Sequence, residues 1–322
     1  MAQNKSNYPI TVIDCGARYG IHLSFNGWNT TLRYIAFEPD PIEDARLAKK
    51  YESNSNYSVY PLAMGDKDDE VTLRILRHHG QSTLLEPNHD SAWFATTRTS
   101  DGHVEREVQV GMTTLDNWCQ LKNISPDFLK IDTEGFDYFV IKGAHVQLSS
   151  SLLAVRCEVL FHKVFHGARL FGDILEALRD HNFILANIAY DGKGAHQSFF
   201  CPGDRYGLLT GCESVFVKNP NSLTEMGFLA LVKYCIFCLK NDIPDLAFKV
   251  IDKNPSLWAE ACHKIKHDPI FQYLDYLYQH AVNKLKYMPG PSFAMGVESY
   301  SRFFGNEYLD LHNFYESTHL NP

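Results

Sequence analysis

Short apolar runs alternate with helical periodicities along the first two-thirds of the chain. The runs "ITVIDCG", "LRYIAFEP", "YSVYPLAM", "DFLKID", "LLAVRCEVLF", "NFILANIAY" and "ESVFVKN" read as strands. Between them, a helix begins in Tyr19 to Gly27, and "DPIEDARLAKKYES" forms another with Pro41 in its first turn. Two more are expected over Phe136 to Val146 and Leu170 to Asp180. "DEVTLRIL" and "REVQVGM" alternate more strictly and predict an antiparallel excursion. Strand–helix alternation of this kind predicts an α/β fold, a doubly wound, mostly parallel sheet with helices on both faces. After "NPNS", Asn219 to Ser222, the strands stop. Segments around 223–240, 244–253, 255–267, 269–288 and 304–317 carry helical periodicity, punctuated by Pro, Gly or Asn. The expected organisation is an α/β domain over residues 1–220 and an α-helical domain over 221–322.

Composition narrows the class. Of the 322 residues 45% are hydrophobic and 21% charged, as in an ordinary soluble globular protein. The formal net charge of -8 argues against a broad phosphate-binding face. No secretory signal opens the chain, and the longest apolar stretch, "FLALVKYCIFCL", is short for a bilayer and carries Lys233. Eight cysteines without a paired framework suit a reducing cytoplasm. Cys235 and Cys238 form one C-x-x-C, but a zinc ion wants a second ligand pair, and adjacent Cys262 and His263 supply it poorly. Buried small side chains are the simpler expectation for both thiols.

The candidate chemistry begins at "VIDCGARYG", where Asp14 and two glycines, Gly16 and Gly20, follow the first apolar run. In a parallel sheet such a turn lies where ligands bind, and glycine lets the backbone pass close to one. Glu38 ends the second strand, the place from which an acid takes ribose hydroxyls. Together they predict an adenosine ligand. A dinucleotide wants G-x-G-x-x-G beneath its pyrophosphate, whereas D-x-G-x-x-x-G sets an anion there. An anion attracts the ammonium and sulfonium of S-adenosylmethionine, and NAD has neither. The plain alternative is that Asp14 caps a helix and the glycines only turn the chain.

Further segments resemble one family. "DFLKIDTEGFDYFVIKGAH", Asp127 to His145, resembles the K-I-D-x-E-G-x-E…L-x-G-A signature of the FkbM-type methyltransferases, and "TTLDNW" resembles the T-L-D stretch that precedes it. "DCGARYG", "FEPDP" and "PLAMGD" follow the family's order, and the resemblance covers about residues 10–218. It implies a Rossmann-like, seven-stranded sheet of the class I methyltransferase type, with S-adenosylmethionine as cofactor and S-adenosylhomocysteine as product. It implies a cofactor-binding set of Asp14, Gly16, Ala17, Gly20, Glu38, Pro39, Ala63, Met64, Asp66 and Asp132. Within that set Asp14 and Gly16 line the methionine side, Glu38 holds the ribose, and Ala63 to Asp66 lie near the adenine. Arg18 and Asp137 depart from the family's usual Asn and Glu, and Arg18 is expected to face solvent or the methionine carboxylate.

The catalytic set expected is Asp132, Glu134 and His162. A hydroxyl acceptor needs a base, and Asp132 at a strand end is the first candidate. Glu134 orients it, binds a substrate hydroxyl, or merely starts the next helix. Glu158, His162 and His166 follow the fifth strand; the two histidines share a face if that segment is helical. With Asp132 they could form a divalent-metal site, supply the base, or be ordinary polar surface, and no metal ligand is assigned. The resemblance implies O-methylation of a hydroxyl on a sugar, glycan or other small natural product. Nucleic acid is not an expected partner, because no Lys/Arg run interleaved with aromatics is present. The competing classes are an NAD-dependent oxidoreductase and a non-catalytic scaffold that docks a biosynthetic complex, or a second copy, through the helical domain.

Overall fold

The computed structural model describes residues 5–28, 31–91, 102–189, 196–197 and 208–285. Its strands are β1 (Ile10–Cys15), β2 (Leu32–Phe37), β3 (Tyr57–Tyr60), β4 (Ala63–Gly65), β5 (Asp69–Leu76), β6 (Val104–Thr114), β7 (Phe128–Ile131), β8 (Ala154–Leu160), β9 (Phe183–Ala189) and β10 (Gly211–Lys218). All six residues of β1 are buried, so it belongs in the middle of a sheet covered on both faces. It pairs in parallel with β2 on one side and β7 on the other. The seven-stranded order is β9-β10-β8-β7-β1-β2-β3, with β10 antiparallel to both neighbours. The sheet is therefore Rossmann-like and mostly parallel, and strand order reverses beside β1. A second sheet, β4-β6-β5, contains the antiparallel pairing of β5 with β6.

Helices α1 (Pro41–Lys50), α2 (Leu115–Lys122), α3 (Asp137–Lys142), α4 (His145–Ser149) and α5 (Phe171–Asp180) connect the strands. The Asp40 side chain accepts from Ile42 N and caps α1, with Pro41 in its first turn. Thr114 caps α2, and left-handed Asn123 ends it. Period-two alternation separates the two faces of the sheet. Ile13, Ile35, Leu129, Val155 and Phe216 face the main core, where Trp118, Ile141 and Leu178 also lie. The opposite row is polar. Asp14, Lys130 and Arg156 stand side by side in register on β1, β7 and β8. Lys130 Nζ lies 3.1 Å from Asp14 Oδ1 and 3.4 Å from Asp132 Oδ2, and donates to Gly16 O at 3.1 Å. Tyr34 donates to the other oxygen of Asp14. Burial pulls the Lys130 ammonium down, but Asp14 and Asp132 outweigh it and hold it above its ordinary value. Arg156 pairs with Glu213, which His22 also meets at 3.3 Å. Burial pushes Glu213 up, and those partners more than reverse this, taking it to about 2.

Four local expectations change. The helix begun at Tyr19 is only a 3-10 turn, Leu23–Phe25, because Gly16, Gly20 and Gly27 all take left-handed backbone, with φ of 86°, 87° and 87°. "YSVYPLAM" breaks at Pro61, which cannot donate to a ladder, and Ala63–Gly65 joins the other sheet beside β6. The helix over 136–146 divides at Gly143. There the chain passes so close to β4 that a Cβ would stand 1.9 Å from Gly65 O. The segment holding His162 and His166 is not helical, since Phe165–His166 pairs as a short strand with Glu86–Pro87.

The helical unit comprises α6 (Leu223–Met226), α7 (Phe228–Lys240), α8 (Pro244–Lys253), α9 (Pro255–Ile265) and α10 (Pro269–Leu285). Residues 5–9 and 24–28 cluster with it rather than with the sheet. Ser6 Oγ and Asn7 N donate to Asp268 at 2.5 and 3.0 Å. Helix α7 is its centre, and Cys235 and Cys238 are fully buried there as core thiols. The segment 304–317 lies outside the described residues. No helix among the described residues is long and apolar enough to cross a membrane.

Three stability outcomes are expected. Gly143→Ala should lose about 1–3 kcal/mol in denaturant unfolding, from overpacking against a backbone carbonyl. Gly172→Ala, where an added Cβ meets nothing within 4 Å, should be neutral or gain up to about 1 kcal/mol. Lys130→Met should cost about 3–5 kcal/mol at neutral pH, because Asp14 is left buried without its counter-charge.

Candidate functional site

The reversal of strand order at β1 opens a crevice at the carboxyl ends of the strands. A cavity lies there. Gly16, Arg18, Tyr19, Phe37, Glu38 and Pro39 line it from the ends of β1 and β2. Leu62, Ala63, Met64 and Leu73 contribute from β4, β5 and the loop before β4, and Ser82, Thr83 and Leu84 from the loop after β5. Asp132, Thr133, Glu134 and Phe136 complete the lining beyond β7.

Gly16 is required by a close approach. Its φ is +86°, and a Cβ would sit 1.9 Å from Asp132 O, so β1 and β7 touch backbone to backbone at the cavity edge. Glu38 is 3% exposed and accepts from Asp40 N at 3.0 Å through Oε1. Burial pushes its carboxyl up to about 7 against the pull of the Arg18 guanidinium. Hydrogen bonds donated by a ligand would favour its charged form.

The turn after β7 is strained. Glu134 has φ +52° and Gly135 φ +87°, and Phe136 N returns to Thr133 O at 3.4 Å. Thr83 Oγ1 donates to Glu134 O at 2.8 Å and helps hold the turn. A non-glycine residue in this conformation at a cavity is a functional indicator. Its effect is to gather acids. Asp132, Glu134 and Glu158, all partly buried, each offer an oxygen within 4.8 Å of the others. Asp137, nearly fully buried, accepts from Thr133 Oγ1 at 3.2 Å. Burial, then the Asp132 charge, pushes Asp137 up to about 7. Burial and the neighbouring carboxylates push Glu134 and Glu158 well above the usual range. Glu158 Oε2 and Asp137 Oδ1 are buried without a hydrogen-bond partner.

Several residues singled out from the sequence stand elsewhere. Asp14 does not line the cavity; it is fully buried, with Lys130 and Tyr34 on its two oxygens. Ala17 is buried behind the turn, and Gly20 packs where a Cβ would meet Tyr51 Oη at 2.5 Å. Asp66 is exposed and off the cavity. Arg18 faces neither solvent nor an open anion site. It is buried and pairs with Asp40 at 3.1 Å and Glu43 at 3.6 Å, and Arg106 reaches the same Asp40 at 2.9 Å. His162 and His166 are not in the carboxylate cluster, so the mixed metal set is not assembled.

Lys130 was the principal residue not singled out. Its signal is a lone cation inside the apolar strand "DFLKID", where burial demands a partner. Tyr34, Thr83 and Phe136 gave no comparable signal, since their partners come from distant segments.

This lining fits an adenosyl cofactor. Glu38 is a buried acceptor at the end of β2, beside the apolar side chains of Phe37, Leu62, Met64 and Leu73. Asp132 and Glu134 bring negative charge to the same cavity, suited to a cationic group.

Several solved structures are distantly similar to this chain. Among solved structures, the chain is similar to Methyltransferase FkbM from Methylobacillus flagellatus KT, at 16% identity and a TM-score of 0.39 over 64% of this chain and 43% of that one. It thus spans less than half the length of that relative. It is similar to precorrin-6y C5,15-methyltransferase from Geobacter metallireducens GS-15 at 10% identity and TM-score 0.34, covering 68% of this chain and 82% of that one. It is also similar to the B. subtilis M1A22 tRNA methyltransferase TrmK at 12% identity and TM-score 0.32, covering 90% and 91%. No curated protein is significantly similar in sequence. Residues 14–185, more than half of the chain, match the Methyltransferase FkbM domain, and the protein belongs to the FkbM methyltransferase family.

Proposed function

We propose that the protein transfers the methyl group of S-adenosylmethionine to a hydroxyl oxygen of a sugar, glycan or other small natural product. The observation that carries this reading is one cavity lined both by Glu38 and by Asp132 and Glu134. Bound S-adenosylmethionine supplies an electrophilic methyl on a good leaving group, so the protein's main task is alignment and removal of the acceptor's proton. We assign Glu38 to the ribose hydroxyls, and Phe37, Ala63 and Met64 to the flat face of the base. Asp132 is already engaged by Lys130, which suits it to hold and orient the acceptor hydroxyl. Glu134 then takes the proton, a role worth about 10²–10⁴ in rate. His162 lies outside the cavity lining and the carboxylate cluster, so the acids carry this step.

The acidic lining and the net charge of -8 favour a neutral or cationic acceptor over a nucleic acid. They also disfavour the pyrophosphate of NAD, since Arg18, the arginine of the lining, is committed to Asp40 and Glu43. We assign catalysis to the domain over residues 1–220 and partner or acceptor docking to the helical domain over 221–322. A cytoplasmic setting suits the described cysteines, all of which are free thiols.

Calorimetric titration with S-adenosylmethionine, S-adenosylhomocysteine and NAD tests the cofactor. Binding of the two adenosyl ligands, weakened about 10- to 100-fold by Glu38→Ala and absent for NAD, is expected. Binding of NAD alone would favour the oxidoreductase, and binding of none would favour a docking scaffold. Asp132→Asn should keep cofactor affinity while turnover falls about 10- to 100-fold from loss of acceptor alignment; unchanged turnover removes Asp132 from this role.

A further inference from the structure

Three carboxyl groups meet beside the cavity, and two of them have little to balance their charge. Lys130 reaches Asp132, while Arg156 is taken by Glu213. Glu158 sits directly across from Glu213 in the β8–β10 ladder, so the next strand offers it another carboxylate. Asp137 on α3 adds a further buried acid. The left-handed backbone of Glu134 nonetheless holds its carboxyl within 4.8 Å of that of Glu158. Two partly buried carboxylates this close do not both ionise readily, and a proton retained on one of them is the usual resolution. The partnerless Glu158 Oε2 is a position for that proton.

We propose that Glu134 and Glu158 hold one proton between them in the cofactor-free protein, and that a cationic cofactor entering the adjoining cavity expels it to solvent, leaving Glu134 as the base. The inference rests on the methyltransferase reading for its ligand. Its content is regulatory: the cofactor's own positive charge arms the site, and the empty site stays protonated. Glu134 lines the cavity and Glu158 does not, so the ligand's charge acts first on Glu134. The direction of both carboxyl shifts, upward from burial and from neighbouring acids, agrees with a retained proton. The charged groups acting on the pair are Asp132, Asp137 and Glu213, opposed by Lys130.

The pH dependence follows in sign. A proton must leave for the cation to be accommodated, so acid opposes binding. Affinity for S-adenosylmethionine relative to S-adenosylhomocysteine should rise about tenfold per pH unit below the titration of the pair, then level off. Glu38 accepts the ribose of both ligands, so its own titration cancels in that ratio. Only the sulfonium distinguishes them.

The experiment is calorimetric binding of both ligands in buffers of different ionisation enthalpy, with EDTA present, on wild type, Glu158→Gln and Glu134→Gln. On the acid side of the pair's titration, wild type should release about one proton more per S-adenosylmethionine bound than per S-adenosylhomocysteine, the part owed to Glu38 being common to both. This difference should vanish in both variants while binding persists. In the free protein, carboxyl NMR of labelled glutamate should show a high-titrating resonance, besides that of Glu38, that moves down in Glu158→Gln. Thermal melts confirm folding of each variant, and either one suffices. Equal proton release with the two ligands on wild type, or a difference that survives both substitutions, overturns the proposal and leaves the methyltransferase reading intact. Failure of either adenosyl ligand to bind overturns that reading and the cofactor-linked release together, while the NMR titration still decides whether the proton is retained.

Discussion

The Lys130 ammonium ties the sheet to the site. It is almost fully buried and touches Asp14 on β1, Asp132 beyond β7, and the carbonyl of Gly16 in the first turn. A buried charge without partners is expensive, and two of these contacts come from the end of β1, distant in sequence. The cation can be satisfied only when β1 and β7 are in register and the Gly16 turn is closed. A buried ion pair of this kind adds little net stability over an apolar equivalent, but it penalises misregistered alternatives heavily. Gly16 allows the closure, because any side chain there would strike Asp132 O.

The same ion pairs sort the acids by role. Asp14 is consumed in the structural pair, with Tyr34 on its second oxygen. Asp132 shares the same ammonium but is partly exposed and faces the cavity. Glu134 and Glu158 lie near Lys130 without a close bond to it, and their charge is the least compensated of the cluster. A left-handed non-glycine residue is a local cost of about 1–3 kcal/mol, which the surrounding contacts hold in place. At Glu134 that cost brings a carboxyl to a cavity lined on other sides by apolar residues. The site is thus built from local strain and charge crowding, both supported by a well-packed sheet.

Glu38 shows how one residue depends on several elements. The pairing of β2 with β3 fixes its backbone, with Glu38 N donating to Tyr60 O at 3.1 Å. The cap of α1 follows two residues later, and Asp40 serves it while also holding Arg18 and Arg106. Those arginines keep positive charge close to Glu38 but unavailable to an incoming phosphate. The cavity therefore stays acidic even with an arginine in its wall, a balance set by partners distant in sequence.

Periodicity determined the strands, most of the helices and their alternation, because burial on a sheet or helix face writes a repeat of two or 3.6 into the chain. It therefore also determined the parallel sheet and the position of its first glycine turn. The charge and type of Glu38, Asp132 and Glu134, with their places at strand ends, were equally legible. The sequence could not decide which acid would be neutralised. Asp14 looked like a ligand-facing anion because Lys130 is more than a hundred residues away and reaches it only through β1–β7 pairing. His162 and His166 looked like neighbours of the site because they follow the fifth strand; a two-residue strand forms there, and neither histidine reaches the carboxylate cluster. The breaks at Pro61 and Gly143, and the collapse of the helix after Gly20, depend on close approaches between segments. Local pattern reports which residues want burial; which charges meet, and so which remain for chemistry, is decided only when the segments come together.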